Sequence, residues 1–214
     1  MTGINTKFVW PRGQLLELVE SPPVLAPGTL ARAESELQIT QIGSETVTAL
    51  PLEDSPALYL AFSNLERTPE ACLGFARRWG FLSNKAEADK VENVAWWCDE
   101  INRMRTSIDN LTTGDAAVPP QGVVVGLAEI RIQPGGSTGL TLGVVPRNLL
   151  SALWMQLVQA VTSGAKLLTC DQCGNWFEAG IGHRRVVARF CSTACRDRFH
   201  NVKRREKRAL KTGG

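Results

Sequence analysis

Four of the six cysteines in this 214-residue chain, Cys170, Cys173, Cys191 and Cys195, stand as two tight pairs with seventeen residues between them. Each pair supplies two sulfurs from about one turn of backbone, and two such pairs close a tetrahedron of thiolates around a zinc ion. Gly174, directly after the first pair, permits the tight turn that aims both sulfurs at one point. Ser192 is a natural N-cap, which puts Cys195 in the first turn of a helix, where unpaired N–H groups and the helix dipole favour a thiolate. Four thiolates saturate zinc and leave no position for water. One structural zinc is therefore expected, and it would supply folding energy to a segment with little apolar sequence of its own. The competing reading, four unrelated core cysteines, accounts for neither the pairing nor the flanking Gly and Ser. His183 and His200 are replacement ligands only if one sulfur is not used.

Around these ligands the chain turns cationic. From Arg184 to Gly214 eleven Lys and Arg stand against two acids, Asp197 and Glu206, a charge of +9; the remainder carries thirteen basic and nineteen acidic residues, a charge of −6. An acidic body with a basic end implies that the end meets an anion. A helix from about Ser192 to Lys211 places Cys195, Phe199, Val202 and Leu210 on one side, with Glu206 among them. It gathers Arg196, His200, Lys203, Arg204, Lys207, Arg208 and Lys211 on an adjoining face, and Arg184 and Arg185 precede it. Such a helix of about 20 residues is roughly 30 Å long, enough to cross a DNA groove. Lys and Arg neutralise phosphates and Arg can read guanine, so nucleic acid, duplex DNA first, is the expected partner. The plainer alternative is a solvated charged face.

This C-terminal segment, about residues 167 to 209, resembles the CGNR-type zinc fingers of bacterial proteins. The matching elements are Cys170 and Cys173, Phe177, Arg184 and Arg185, Phe190-Cys191-Ser192, and Cys195-Arg196, followed by Arg198 and the run Lys203-Arg204-Arg205. The resemblance implies a treble-clef finger, DNA binding and transcription control. The preceding body is similar in outline to the one that precedes this finger in stress-induced transcription regulators. One feature departs from the family pattern. Its Cys-Gly-Asn-Arg begins at the last ligand, whereas here Cys195 is followed by Arg196-Asp197-Arg198, and Cys173-Gly174-Asn175-Trp176 sits at the first pair.

Two other function classes stay open. His183, His200 and Asn201 suggest a zinc-stapled nuclease, but such a site needs a general base and a hard-metal ligand converging on one phosphate, and no second acidic ligand is placed to help. An RNA- or protein-binding zinc module is the stronger rival. RNA readers expose aromatic rings, whereas Trp176, Phe177, Phe190 and Phe199 are expected to be consumed by the small core. No Gly-rich phosphate loop occurs, and a non-enzyme is expected.

The elements that position the finger read as an α+β body, mainly helical with a small antiparallel sheet, over residues 1–164. The four-cysteine finger with its long basic helix follows over 165–214. Leu37–Ile42 and Thr46–Leu50 alternate as half-buried strands and predict a hairpin around Gly43-Ser44; Ala57–Phe62 is strand or helix. Thr68-Pro69 opens a helix whose stripe is Cys72, Phe75, Ala76 and Trp79, with Gly80 as its stop. A longer helix is predicted from about Ala86 to Leu111, carrying Val91, Val94, Cys98, Ile101, Met104, Ile108 and Leu111 on one stripe. Of the adjacent Trp96 and Trp97, one should be exposed. Val123–Gln133 and Thr138–Val145 predict a hairpin, and Pro146 starts a helix that ends at Ser163-Gly164. In the finger, Trp176-Phe177 is expected to pair with Val186–Phe190.

No apolar stretch is long enough to span a bilayer and the first residues lack a signal-peptide pattern, so a cytoplasmic protein with reduced Cys72 and Cys98 is expected. The body is the candidate for sensing a ligand or for forming a homo-oligomer.

Overall fold

The computed structural model describes residues 10–13, 15–21, 36–49, 51–55, 57–83, 89–113, 128–135, 139–180 and 187–212. It combines helices with short antiparallel sheets, and it divides into two compact units: Met1–Ser107 with Val118–Leu157, and Ile108–Ala117 with Val158–Gly214.

In the first unit the N-terminal strands are arms of a bent ribbon. Strand β1 (Trp10–Gly13) pairs with β4 (Thr46–Ala49), with Trp10 opposite Ala49, and β2 (Leu16–Ser21) pairs with β3 (Glu36–Gln41), with Leu16 opposite Gln41. Ile42 N donates to Leu15 O at 2.9 Å between the two pairings. The hairpin predicted between β3 and β4 is therefore absent. Both runs are strands, but Gly43, at φ +83°, lies where the chain changes partner between them rather than reversing them onto each other. The other edge of β3 takes β5 (Val91–Asn93), with Ile39 opposite Glu92.

Helix α1 spans Pro51–Asp54, and the Ala57–Phe62 run resolves as helix α2 (Leu58–Ser63). The ends of α2 are completed by distant side chains. Gln156 Oε1 accepts from Tyr59 N at 3.1 Å while its Nε2 donates to Ser55 O at 2.7 Å, and the Arg105 guanidinium donates to Ser63 O and Leu65 O at 2.6 Å each. These bonds satisfy backbone groups that a short helix leaves unpaired. Helix α3 (Pro69–Trp79) follows the sequence closely: Thr68 Oγ1 accepts from Ala71 N at 3.3 Å, and Cys72, Phe75, Ala76 and Trp79 are buried. Gly80 sits at φ +94°, where a Cβ would meet Pro11 O at 2.6 Å, and Trp10 Nε1 donates to Phe81 O at 2.9 Å.

Helix α4 (Val94–Thr113) begins later than the sequence predicted. Residues 84–88 lie outside the described residues, and Val91–Asn93 form β5 instead of the first helical turn. The reason is Glu92, 5% exposed. Its Oε2 accepts from Leu82 N at 2.9 Å and Trp97 Nε1 at 2.7 Å, and its Oε1 from Ser83 N at 3.0 Å, which ties the strand to the chain after α3. Asn93 then caps the helix, its Oδ1 accepting from Ala95 N at 2.7 Å. Trp97 is buried and Trp96 half-buried. The Trp97 ring lies 6.1 Å from Phe62 and 6.0 Å from Phe75, edge-on or tilted as aromatic quadrupoles prefer.

The predicted long hairpin forms as β6 (Ala128–Gly135) and β7 (Gly139–Pro146), with Ala128 opposite Pro146 and Gly135 opposite Gly139. Positions 123–127 lie outside the described residues. Pro146 ends β7 rather than starting a helix. Helix α5 (Leu149–Thr162) is capped by Asn148, whose Oδ1 accepts from Ser151 N at 2.8 Å. Leu149, Leu153, Trp154 and Leu157 of α5 are buried, and Gly164 at φ +84° follows its end.

Candidate metal centre

The first cysteine pair is the turn of a hairpin. Strand β8 (Lys166–Thr169) pairs with β9 (Trp176–Ala179), with Thr169 opposite Trp176, so the chain reverses across Cys170–Asn175. Along β9 burial alternates, with Phe177 and Ala179 in and Trp176 and Glu178 half-exposed. Phe177, Ala179 and Cys170 form a small core, against which Leu168, Ala188, Phe190, Cys191 and Cys195 pack. This corrects the sequence expectation for β9. Its partner comes from before Cys170, not from Val186–Phe190, because the cysteine turn itself brings β8 and β9 together. Residues 187–190 are not strand, and 181–186, with His183, Arg184 and Arg185, lie outside the described residues.

Backbone bonds shape the turn. Gly174 N donates to Cys170 O and Cys170 N to Asn175 O, both at 2.9 Å, and Gly174 takes φ +75°, a conformation that glycine adopts freely. Asp171 N donates to Arg189 O at 3.0 Å and draws the second cysteine segment alongside. Ser192 caps helix α6 (Thr193–Thr212) as expected, its Oγ accepting from Cys195 N at 3.1 Å.

These elements bring four sulfurs together. The Sγ atoms of Cys170, Cys173, Cys191 and Cys195 all lie within 4.8 Å of one another. Cys191 Sγ is 3.6 Å from that of Cys173 and 3.5 Å from that of Cys195. A disulfide needs about 2.05 Å. A tetrahedral ion with metal–sulfur bonds of about 2.3 Å has its sulfurs about 3.8 Å apart, so the spacing fits a shared metal ion.

The thiol energetics point the same way. Burial alone would raise the Cys170 thiol, yet the N–H groups of Cys191, Cys173 and Gln172 bring it down to about 6. Cys191 goes the opposite way: burial, then the neighbouring sulfurs of Cys195, Cys173 and Cys170, push it up to about 12, and burial also raises Cys173. At Cys191 the hydrogen bonds shared with the neighbouring sulfurs favour the protonated thiol. A divalent cation at their centre would replace such protons.

The cationic residues fall on and around α6. Arg196, His200, Lys203 and Arg204 are exposed there, and Lys207, Arg208 and Lys211 continue the helix, their side chains outside the described residues. Two are engaged within the chain: Arg196 Nε meets Asp197 Oδ1 at 3.2 Å, and Lys203 Nζ lies 4.7 Å from the Phe199 ring centroid. The His200 ring stands 6.1 Å from Phe190 and 5.7 Å from Phe199, away from any role as a replacement ligand in the four-sulfur cluster. The aromatic rings are not all consumed by the core. Phe177 is buried, but Trp176, Phe190 and Phe199 are only half-buried, because the sulfurs and a few small residues occupy the centre. Sequence reasoning missed Arg189 and Asp171, whose side chains pair with Arg189 Nε 2.6 Å from Asp171 Oδ2. They stand eighteen positions apart and no spacing rule links them.

No protein-family model matches the chain, and no curated protein matches it in sequence. The geometry stands on its own: four cysteines positioned to hold one metal ion, next to the start of a helix rich in Lys and Arg.

Proposed function

We propose that residues 165–214 form a zinc-stapled finger that binds duplex DNA, and that the protein is a cytoplasmic transcription regulator whose residues 1–164 sense a ligand or oligomerise. The observation that carries this reading is the placement of the four-sulfur cluster at the N-terminus of a 20-residue helix carrying a run of exposed cations. Zinc is the metal that suits four thiolates in this arrangement. It would tie the β8–β9 turn to the start of α6 and leave no open position for catalysis, so the protein is read as a non-enzyme. The order of cysteine turn, connecting segment and helix supports a treble-clef finger related to the CGNR type. With the metal fixing its first turn, α6 is held rigidly enough to lay Arg196, Lys203, Arg204, Lys207 and Arg208 against a phosphate backbone.

Fluorescence anisotropy with a labelled DNA duplex tests this. Affinity should fall steeply with salt, because each neutralised phosphate releases counterion. Replacing Lys203, Arg204, Lys207 and Arg208 together with Ala should flatten the salt slope by about one unit per lost contact while leaving zinc content unchanged. A quadruple variant that binds as the parent does removes α6 as the contact. A parent that binds neither DNA nor RNA at low salt replaces the regulator reading with a protein-binding zinc module.

The half-exposed Phe190 and Phe199 favour RNA as a second reading, since unpaired bases stack on such rings. Competition between duplex DNA and single-stranded RNA separates the two.

A further inference from the structure

Two cations of the cysteine-bearing unit, Arg189 and Lys203, are held in place before any partner arrives. Arg189 donates through Nε to Asp171 Oδ2 at 2.6 Å, and its Nη2 meets the same oxygen. Its guanidinium also lies 5.8 Å from the Phe190 ring centroid and 5.7 Å from that of Phe199. Lys203, one helical turn beyond Phe199, brings its Nζ to 4.7 Å from the same Phe199 centroid. Two positive charges are thus gathered at one ring, no more than about 10 Å apart.

Both remain open to solvent. Arg189 is 64% exposed despite its three partners, and Lys203 is exposed. Asp171 uses one edge of the guanidinium, two of its five N–H donors, and leaves the others available. Ring faces and one carboxylate offset only part of the repulsion between the cations. An anion placed between them completes the charge balance. Ordering a long side chain on binding costs conformational entropy, and here the Phe199 ring and Asp171 have already restricted both.

We infer that Arg189 and Lys203, held over Phe199, form a preformed seat for a phosphate group of the DNA backbone beside the metal centre. This rests on the nucleic-acid reading above and deepens it by naming the residues that anchor the backbone. Asp171 serves as an in-chain counter-ion. It orients the Arg189 fork and competes with phosphate for it.

The test is anisotropy against a labelled mixed-sequence duplex over a range of salt, on full-length zinc-loaded protein, with zinc content and far-UV circular dichroism as folding controls. R189A/K203A should bind more weakly than the parent and lose about two units of salt slope. Because Arg189→Ala also removes the tie to Asp171, K203A alone, on the exposed helix, and R189K supply variants that keep the fold. K203A should lose about one unit, and R189K should weaken binding although its charge is kept. D171N should tighten binding, and that gain should vanish in an R189A background.

If the parent binds and R189A/K203A or K203A, with zinc retained, binds equally well, the seat is wrong while DNA binding stands. A D171N gain of equal size with and without Arg189 also overturns it, since the carboxylate would then act only through general charge. A parent that binds no duplex overturns both the seat and the proposed function.

Discussion

The unit that holds α3 and the first four turns of α4 and the unit that holds the four cysteines are stabilised by different physics. The first buries large side chains, among them Trp97, Trp154, Tyr59, Phe62, Leu16, Ile39 and Met104, and pins its element ends with buried polar groups such as Glu92 and Gln156. Around its cysteines the second has a small cluster centred on Cys170, Phe177 and Ala179, and three of the residues packed around or within it are sulfur donors. A core of that size does not offset the backbone entropy of an ordered segment this long, whereas a structural metal does. The comparison implies a chain that would divide its folding between solvent-driven burial, which tolerates loss of one contact, and coordination by its four cysteines, which does not.

The sharpest way to break that comparison is to remove the metal. A strong chelator, or Cys191→Ser, should unfold the β8–β9 turn and the start of α6 and abolish hydrogen-exchange protection there. Protection in α3 and α4 should persist. Uniform loss of protection would mean that the first unit also depends on the metal.

Within the first unit, Gly80→Ala should have a large effect. A Cβ there meets Pro11 O at 2.6 Å and Trp10 Nε1 at 3.0 Å, on a backbone at φ +94°. Destabilisation of about 3 kcal/mol is expected in chemical denaturation. An unchanged midpoint would mean that β1 does not approach α3 as described.

Glu92 gives a pH signature of similar size. Burial raises its carboxyl from 4.5 to about 7, against the N–H groups of Leu82, Ser83 and Trp97 that favour the charged form. The folded state therefore holds the proton more tightly than the unfolded chain. The resulting stabilisation is complete below about pH 4.5, is lost as pH rises toward about 7, and is absent above; it amounts to about 3 kcal/mol. In urea titrations across that window, parent stability should fall with pH relative to Glu92→Gln. Parallel curves for the two proteins would contradict the burial. The smallest effect is Thr68→Ala, which removes the α3 cap to which Ala71 N donates and should cost about 1 kcal/mol in the same titrations.

What was legible in the sequence follows from how far its determinants reach. Helix α3 was readable because its cap, its proline, its stripe and its terminating glycine lie within one short segment. The four ligands were readable because ligand spacing is local within each pair. Strand β5 was misread because Val91 and Val94 satisfy a helical period equally well, and only the three N–H groups waiting for Glu92 decide otherwise. Strand pairing failed twice for a related reason. Both β3 with β4 and β9 with Val186–Phe190 were paired by nearness and a turn signal, while the partners that won, β2 and β8, precede their partners in the chain, β8 across the cysteine turn. Arg189 escaped because its partners, Asp171 and Phe199, lie well away from it along the chain and no local pattern pairs them.

The central claim is a metal ion shared by four sulfurs, and elemental analysis of the purified full-length chain, with Cys173→Ser and Cys191→Ser alongside, tests it most directly. The account predicts about one zinc per parent chain and a near-complete loss in each variant. A parent that stays folded through residues 166–200 with less than about a tenth of an equivalent of zinc or any other transition metal would contradict it.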